Sequence, residues 1–411
     1  MTPSATTPRI ILFTGKGGVG KTTSAAGTAL LAARQGQRTL VLSTDAAHSL
    51  ADAFGRAIGP EPTRVADDLW VHQVDAQRRF ERSWGDIQGY LMSVLDAAGV
   101  DPITAEELTV IPGAEEVLAL LELRTHALSG DWDVIVVDCA PTAETLRLLA
   151  LPEALNWYMT RMFGVQRRVV KALRPVLSRA AGVPMPEDSV FDAVERLHRD
   201  LDEVQQILTD KAATVRLVLT PETVVVAEAR RSLTTLSLYG YRVDGVIANR
   251  VFPADGGDAW RDAWVAAQRS VLAEVRQSFV DLPVWMSSYQ PGEPVGADAL
   301  AAFAEAAYDG VDPLIVPTGE GPMTITRTDD EAVLRIALPF AEKKDVDLAR
   351  HGDELVVTVG SYRRLLALPA ALARHTVSGA RVGSGSLQVK FRVEPDPSPT
   401  AAGPTPEEES R

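Results

Sequence analysis

A glycine-rich stretch near the N-terminus constrains the fold more than any other part of this chain. It covers residues 14–23, TGKGGVGKTT, and separates a short apolar run from a segment rich in Ala and Leu. This order predicts a strand, a glycine loop and a helix whose N-terminal N–H groups bind phosphate. Lys21 is then expected to neutralise the β- and γ-phosphates, and the Thr22 hydroxyl to hold Mg²⁺. The predicted cradle consists of Gly15, Gly17, Gly18, Val19, Gly20, Lys21, Thr22 and Thr23.

The same glycines admit a second interpretation. Three of them satisfy G-x-G-x-x-G, the loop pattern of dinucleotide-binding proteins, and Asp45 stands where such proteins carry a ribose-binding acid. Two features favour a nucleoside triphosphate instead. A dinucleotide loop does not need the lysine and threonine at 21–22, and Asp138 ends an apolar run where a Walker B metal ligand belongs.

Composition excludes several classes of function. The formal net charge of −14 disfavours binding to nucleic acid or to an anionic membrane. Cys139 is the single cysteine, so the chain has no disulfide and no C-x-x-C metal site of its own. We see neither a secretory signal nor an apolar run long enough to span a membrane, and we expect a cytoplasmic protein whose membrane contacts are at most transient.

The pattern along the chain predicts an α/β fold. From residue 9 to about 312, short apolar runs alternate with helical stretches, which indicates a doubly wound, mostly parallel P-loop sheet. Two long helical segments, about 83–128 and 152–209, interrupt this alternation and predict an inserted helical subdomain.

The composition of the chain changes beyond this domain. A linker rich in Pro and Gly is predicted at 313–322, followed by a small all-β sandwich at 323–393. Residues 1–8 and 394–411 are predicted to be disordered, the latter because they contain almost no large apolar side chain.

Both inserted segments carry apolar side chains at spacings near three and four. Packing against the sheet explains such stripes in most helices. A groove for an apolar helix is the alternative, because methionines beside aromatics suit adaptable hydrophobic surfaces. The candidate groove residues are Leu91, Leu95, Leu155, Met159, Met162 and Phe163.

Three polar residues follow predicted strands. Asp45, Asp138 and Asn249 are expected to meet beyond the carboxyl ends of the sheet, where ligands of open α/β folds bind. Phosphoryl transfer to water needs an acceptor for that water, which Asp45 or Asp138 can supply. Lys16 is not required by the basic loop. It either lies exposed or points away from its own site towards one in another subunit.

These motifs resemble those of a known family. The loop GKGGVGKTT is a deviant Walker A motif, and DAAHS at 45–49 and DCAPT at 138–142 resemble the two switch motifs of the ArsA/GET ATPases. That family comprises arsenite-pump ATPases and targeting factors for tail-anchored proteins. The resemblance covers about 9–310.

The resemblance implies a homodimer in which Mg²⁺-dependent ATP hydrolysis opens and closes two subunits around a hydrophobic client such as a tail-anchored membrane protein. It implies that Lys16 reaches the partner's nucleotide, that Asp45 positions the attacking water, and that Asn249 recognises adenine. Thr22 and Asp138 would serve Mg²⁺, and the apolar helices would form the client groove.

The sequence also departs from the family pattern. Several residues usual in the two switches of the family are replaced here, by Ala46, Cys139 and the Ala-Glu pair at 143–144. The coupling between the switches and the nucleotide can therefore differ from that of relatives. The cysteines that bind zinc or arsenite in relatives are absent, so neither ligand is expected. The C-terminal module resembles an α-crystallin-like domain, which either contacts clients or only stabilises the protein. A regulatory or partitioning P-loop ATPase without hydrophobic cargo is the alternative function.

Overall fold

The structure is a computed structural model, and it forms two compact units, Met1–Pro322 and Met323–Arg411. We refer to these as unit 1 and unit 2. The residues that the structure describes are 7–44, 49–59, 61–73, 114–140, 142, 145–146, 149–150, 188–254, 258–328, 331–373 and 375–392.

Unit 1 is built on a sheet of eight strands, which run parallel except for β3, the antiparallel partner of β4. The order across the sheet is β3-β4-β2-β5-β1-β6-β7-β8. In chain order the strands are β1 (Arg9–Thr14), β2 (Thr39–Ser43), β3 (Thr63–Ala66), β4 (Leu69–Gln73), β5 (Val134–Asp138), β6 (Ala213–Leu219), β7 (Val243–Val251) and β8 (Val284–Ser288).

Helices connect these strands. Those described in unit 1 are α1 (Lys21–Arg34), α2 (Ser49–Phe54), α3 (Ala114–Ser129), α4 (Asp188–Thr209), α5 (Thr223–Leu238), α6 (Ala259–Ser278) and α7 (Ala297–Tyr308). The strands β1, β2, β5 and β6 are buried along their whole length, as expected when helices cover both faces of a parallel sheet. The predicted α/β fold class is therefore confirmed.

Some predicted boundaries need correction. The strand β8 begins at Val284, directly after Pro283, which has no N–H to give to the ladder. Asn249 does not follow its strand but lies inside β7, which continues to Val251, where the carbonyl accepts the N–H of Tyr289 at 2.9 Å. The short edge strand β3 is not predicted, since its residues are exposed or half-buried and form no apolar run.

A buried polar cluster joins β1, β6 and β7. Asp244 Oδ2 accepts hydrogen bonds from Arg9 Nη2 at 2.9 Å, Arg216 Nη2 at 2.7 Å and Thr214 Oγ1 at 2.7 Å, while its Oδ1 accepts from Arg216 Nε at 3.1 Å. Burial lowers the pKa of Arg9, and the nearby carboxylate of Asp244 opposes that shift. Both arginines also donate to backbone carbonyls at 313–315, so the first residues of the predicted linker pack within unit 1.

Unit 2 consists of two antiparallel sheets, with orders β14-β15-β10-β9 and β11-β12-β13. Alternate residues of β10 are buried, which is the pattern of a sheet with one solvated face. The strand β11 is not predicted from the sequence, because its residues alternate between half-buried and exposed. The strands are β9 (Met323–Arg327), β10 (Glu331–Ala337), β11 (Val346–His351), β12 (Glu354–Val359), β13 (Tyr362–Ala367), β14 (Thr376–Gly383) and β15 (Ser386–Arg392), with a short helix α8 (Ala370–Ala373).

None of the helices in the described part of the chain combines the length and the apolar character that crossing a bilayer demands.

Candidate functional site

The glycine loop lies at the carboxyl end of β1, an interior strand, and leads directly into α1. Two positions in the loop require glycine, because neighbouring atoms lie too close for a Cβ atom. A Cβ atom on Gly15 would lie 2.1 Å from the carbonyl oxygen of Val218 in β6. A Cβ atom on Gly20 would lie 2.2 Å from Nδ2 of Asn249 in β7. Larger residues here would therefore push the loop away from the sheet.

The N-terminus of α1 suits an anion. In this helix, all of whose residues are described, Gly20 supplies no capping side chain and the first turn contains no acidic residue. The first N–H groups and the positive end of the helix dipole are thus available to a phosphate. Lys21 is 7% exposed, and its Nζ lies 3.4 Å from the carbonyl oxygen of Lys16, so its ammonium group folds back over the loop.

The tip of the loop faces solvent. Lys16, Gly17 and Gly18 are exposed, whereas Val19 is buried. The side chain of Lys16 is therefore accessible at the surface of the chain.

Thr22 and Asp138 meet beside the loop. Thr22 Oγ1 donates a hydrogen bond to Asp138 Oδ2 at 2.8 Å, and Oγ of Ser49 in α2 lies 3.4 Å from the same hydroxyl. Asp138 is 1% exposed at the carboxyl end of β5. The structure thus brings together the two residues that the sequence predicts to bind Mg²⁺.

Thr44 connects the ends of β2 and β5, a role that sequence reasoning does not predict. Its N–H donates to the carbonyl oxygen of Asp138 at 3.0 Å, and its Oγ1 accepts from the N–H of Ala140 at 3.3 Å. A hydroxyl residue directly before Asp45 is the signal that would have identified it. The residue that precedes DAAHS is therefore hydrogen-bonded to the first and third residues of DCAPT.

Asn249 holds the glycine loop from the other side. Its Nδ2 donates to the carbonyl oxygen of Val19 at 2.8 Å, and its Oδ1 accepts from the N–H of Arg250 at 2.8 Å. A cavity of about 540 Å³ opens beside it, a volume in the range of small-molecule sites. Sequence reasoning does not predict most of the lining, which includes Arg250, Tyr289, Gln290, Pro291 and Val295.

Several predicted site residues lie outside the described residues. They are Asp45, whose chain neighbour Thr44 is described, and the candidate groove residues Leu91, Leu95, Leu155, Met159, Met162 and Phe163.

A glycine loop between a buried strand and an uncapped helix, with a threonine and an aspartate in contact beside it, defines a P-loop nucleoside triphosphatase. Residues 8–309 match the family described as anion-transporting ATPases of ArsA type, and residues 329–391 match an HSP20-like domain found in ArsA. The chain belongs to the ArsA ATPase family and is an ATPase. Both the family resemblance and the α-crystallin-like character of unit 2 are confirmed, and the dinucleotide interpretation of the loop is set aside.

Three similar proteins cover between 72% and 94% of this chain. A protein of Chlorobaculum tepidum named as an arsenical pump-driving ATPase is 38% identical over 390 residues, which are 94% of this chain and 96% of that protein. A similarly named protein of Aquifex aeolicus is 33% identical over 392 residues, 93% of this chain and 99% of the relative. The ATPase ASNA1 homolog 1 of Paramecium tetraurelia is 25% identical over 302 residues, 72% of this chain and 91% of that protein.

Proposed function

We propose that this ATPase requires Mg²⁺ and works as a homodimer that opens and closes around a hydrophobic client. One observation supports the proposed binding of nucleotide and Mg²⁺. Thr22 Oγ1 contacts Asp138 Oδ2 at 2.8 Å beside the uncapped N-terminus of α1. Hydroxyl and carboxylate oxygens are ligands that Mg²⁺ prefers, so these two residues fit the ion. When bound, Mg²⁺ supplies positive charge against the phosphates.

The other residues of the site divide the remaining tasks. Lys21 neutralises the β- and γ-phosphates, and Asn249 with the cavity beside it accommodates the base. Asp45 accepts a hydrogen bond from the attacking water. Support for Asp45 is that it directly follows Thr44, which two hydrogen bonds tie to the end of β5. Phosphoryl transfer to water depends on such positioning.

Replacing Asp45 with asparagine tests this assignment. The amide cannot take a proton as the carboxylate does, so we expect turnover to fall by about two orders of magnitude or more while ATP affinity stays near that of the wild type. Fluorescent-nucleotide binding and single-turnover hydrolysis measure the two quantities. Asp67→Asn, at a fully exposed position on the turn between β3 and β4, is the matched control. Hydrolysis by Asp45→Asn at the control's rate would remove Asp45 from the mechanism.

Lys16 is assigned to the nucleotide of the partner subunit. Its exposure at the tip of the loop supports this, because its own cradle already contains Lys21. Mixing two inactive variants tests the role. In a mixed dimer, a Lys16→Ala subunit keeps its own ATP cradle and receives Lys16 from a Lys21→Met partner. We expect the mixture to regain turnover at one site per dimer, and a mixture as inactive as its parents would contradict a role in trans.

The hydrophobic client is proposed from the two inserted segments. The helices α3 and α4, which end these segments, pack together, and Arg124 of α3 contacts Glu203 at 2.7 Å and Asp200 at 3.3 Å. This contact supports a single helical subdomain. The resemblance of the motifs to the ArsA/GET ATPases, which include targeting factors for tail-anchored proteins, is consistent with a targeting role.

A transmembrane peptide added with ATP tests the client. We expect it to bind the wild type and to change its turnover. Aspartates in place of Met159, Met162 and Phe163 should abolish binding while basal hydrolysis persists. If the peptide neither binds nor alters turnover, the protein is better described as a regulatory or partitioning ATPase.

A further inference from the structure

A second cluster of functional side chains lies away from the glycine loop. His72 belongs to β4, while Glu122 and His126 are one turn apart on α3. Nδ1 of His72 lies 2.9 Å from Nε2 of His126 and 3.6 Å from Oε1 of Glu122. Nε2 of His126 lies 3.1 Å from the same carboxylate oxygen. Three potential metal-ligand atoms therefore converge on one point.

The cluster is buried. The side chains of His72 and Glu122 are 3% exposed, and that of His126 is 12% exposed. The interior solvates the charge of a carboxylate poorly, and nearby positive charge offsets that cost. A divalent cation bound by all three side chains would add such a charge beside Glu122.

We propose that His72, Glu122 and His126 form a binding site for a divalent transition-metal ion of the zinc class. In a tetrahedral zinc site with bonds of about 2.0–2.1 Å, neighbouring ligand atoms lie about 3.3 Å apart. The three separations here, 2.9, 3.1 and 3.6 Å, bracket that value. Two imidazoles and one carboxylate suit zinc, cobalt or nickel better than magnesium or calcium, which prefer oxygen ligands alone.

Trp132 makes the proposal more specific. Its indole N–H donates to Nδ1 of His126 at 3.2 Å, and an indole nitrogen cannot accept. The neutral imidazole of His126 therefore carries its proton on Nε2 in the metal-free protein. A metal ion at Nε2 moves that proton to Nδ1 and breaks the bond to Trp132. Trp132 thus opposes metal binding and should report it.

The location of the site gives it a structural consequence. β4 ends at Gln73 and α3 begins at Ala114, so the cluster joins the two elements that flank residues 74–113. β4 is three strands from β1, a distance of about 14 Å at the usual strand spacing. An ion here would fix the two elements that flank residues 74–113 to each other without taking part in the nucleotide site.

Titration with Co²⁺ tests the proposal in the full-length chain, without an affinity tag and after removal of bound metals. Millimolar Mg²⁺ is present throughout to occupy oxygen-rich sites. We expect one Co²⁺ per chain, with the strong visible absorption of a low-coordinate site, and displacement by Zn²⁺. The proposal would be overturned if the wild-type protein showed no saturable Co²⁺ site, or if Zn²⁺ did not displace the bound Co²⁺. Neither outcome depends on a variant.

Variants then locate the site. Glu122→Gln keeps the shape of the side chain but is a poor ligand, so we expect Co²⁺ affinity to fall at least tenfold. His198→Asn is the matched control, since His198 forms a comparable pair with Asp202 on α4 and has no place in the cluster. Trp132→Phe should bind Co²⁺ about fivefold more tightly, because the competing hydrogen bond is gone. Equal losses in Glu122→Gln and His198→Asn would refute this placement.

Discussion

The carboxylate of Asp244 offers a direct test of how unit 1 is held together. It lies between two buried guanidinium groups, those of Arg9 and Arg216, which are 8% and 1% exposed. Asp244→Asn keeps the shape of the side chain and removes its charge. If the amide oxygen stays at the Oδ2 position, the amide nitrogen faces the donor Nε of Arg216. If the amide turns over, its nitrogen faces three donors instead.

The expected loss in the free energy of unfolding follows from these contacts. Removing one partner of a buried ion pair costs roughly 3–5 kcal/mol, because the remaining charge is left without compensation. Here two cations lose the same anion, so the upper part of that range applies. For a unit of this size each kcal/mol lowers Tm by roughly 2 °C, and we expect a decrease of about 8–10 °C.

Tryptophan fluorescence isolates the relevant transition, because all 7 tryptophans precede residue 323 and therefore lie in unit 1. The control is Asp133→Asn. Asp133 pairs with Arg38 at 2.8 Å, but both side chains are well exposed, so its replacement should shift Tm far less. If the two variants melt within experimental error of each other, the buried cluster does not stabilise unit 1 as described.

Three further predictions concern the nucleotide site. Gly20→Ala places a Cβ atom 2.2 Å from Nδ2 of Asn249, at a residue whose φ is 96°. ATP affinity measured by calorimetry should therefore fall at least tenfold, and unchanged affinity would contradict the packing described. Thr22→Val should abolish Mg²⁺-dependent hydrolysis whereas Thr22→Ser retains it, and equal rates would separate the hydroxyl from Mg²⁺ binding. Burial is the main cause that raises the pKa of the Cys139 thiol, and the charge of Asp138 raises it further. A disulfide reagent at pH 8 should therefore react with Cys139 only as the protein unfolds. Rapid labelling of the native protein would disprove the burial of Cys139.

Local patterns account for the parts of the fold and the site that sequence predicts well. The glycine loop, β5 and Asp138 lie within short segments in which apolar runs and turn residues alternate in a recognisable order. The contact between Thr22 and Asp138 follows from the sheet topology, because β1 and β5 are neighbours and end at the same edge.

The parts that sequence does not predict depend on pairing between distant segments. Thr44 has an ordinary strand-end sequence, and only the register of β2 against β5 brings its hydroxyl to the N–H of Ala140. One side of the lining of the cavity beside Asn249 is formed by residues 288–295, whose position depends on where β8 joins the sheet. His72 is likewise far in sequence from α3, and no motif links them.

The hydrogen bonds from Arg9 and Arg216 to the carbonyls at 313–315 also bear on the order in which the chain folds during synthesis. Arg9 is among the first residues of unit 1 to leave the ribosome, yet some of its acceptors are among the last. A nascent chain that stops short of them buries two guanidinium groups with part of their partners missing. We therefore expect the ATPase unit to reach its final stability only when the linker has left the ribosome, just before the residues of unit 2 emerge.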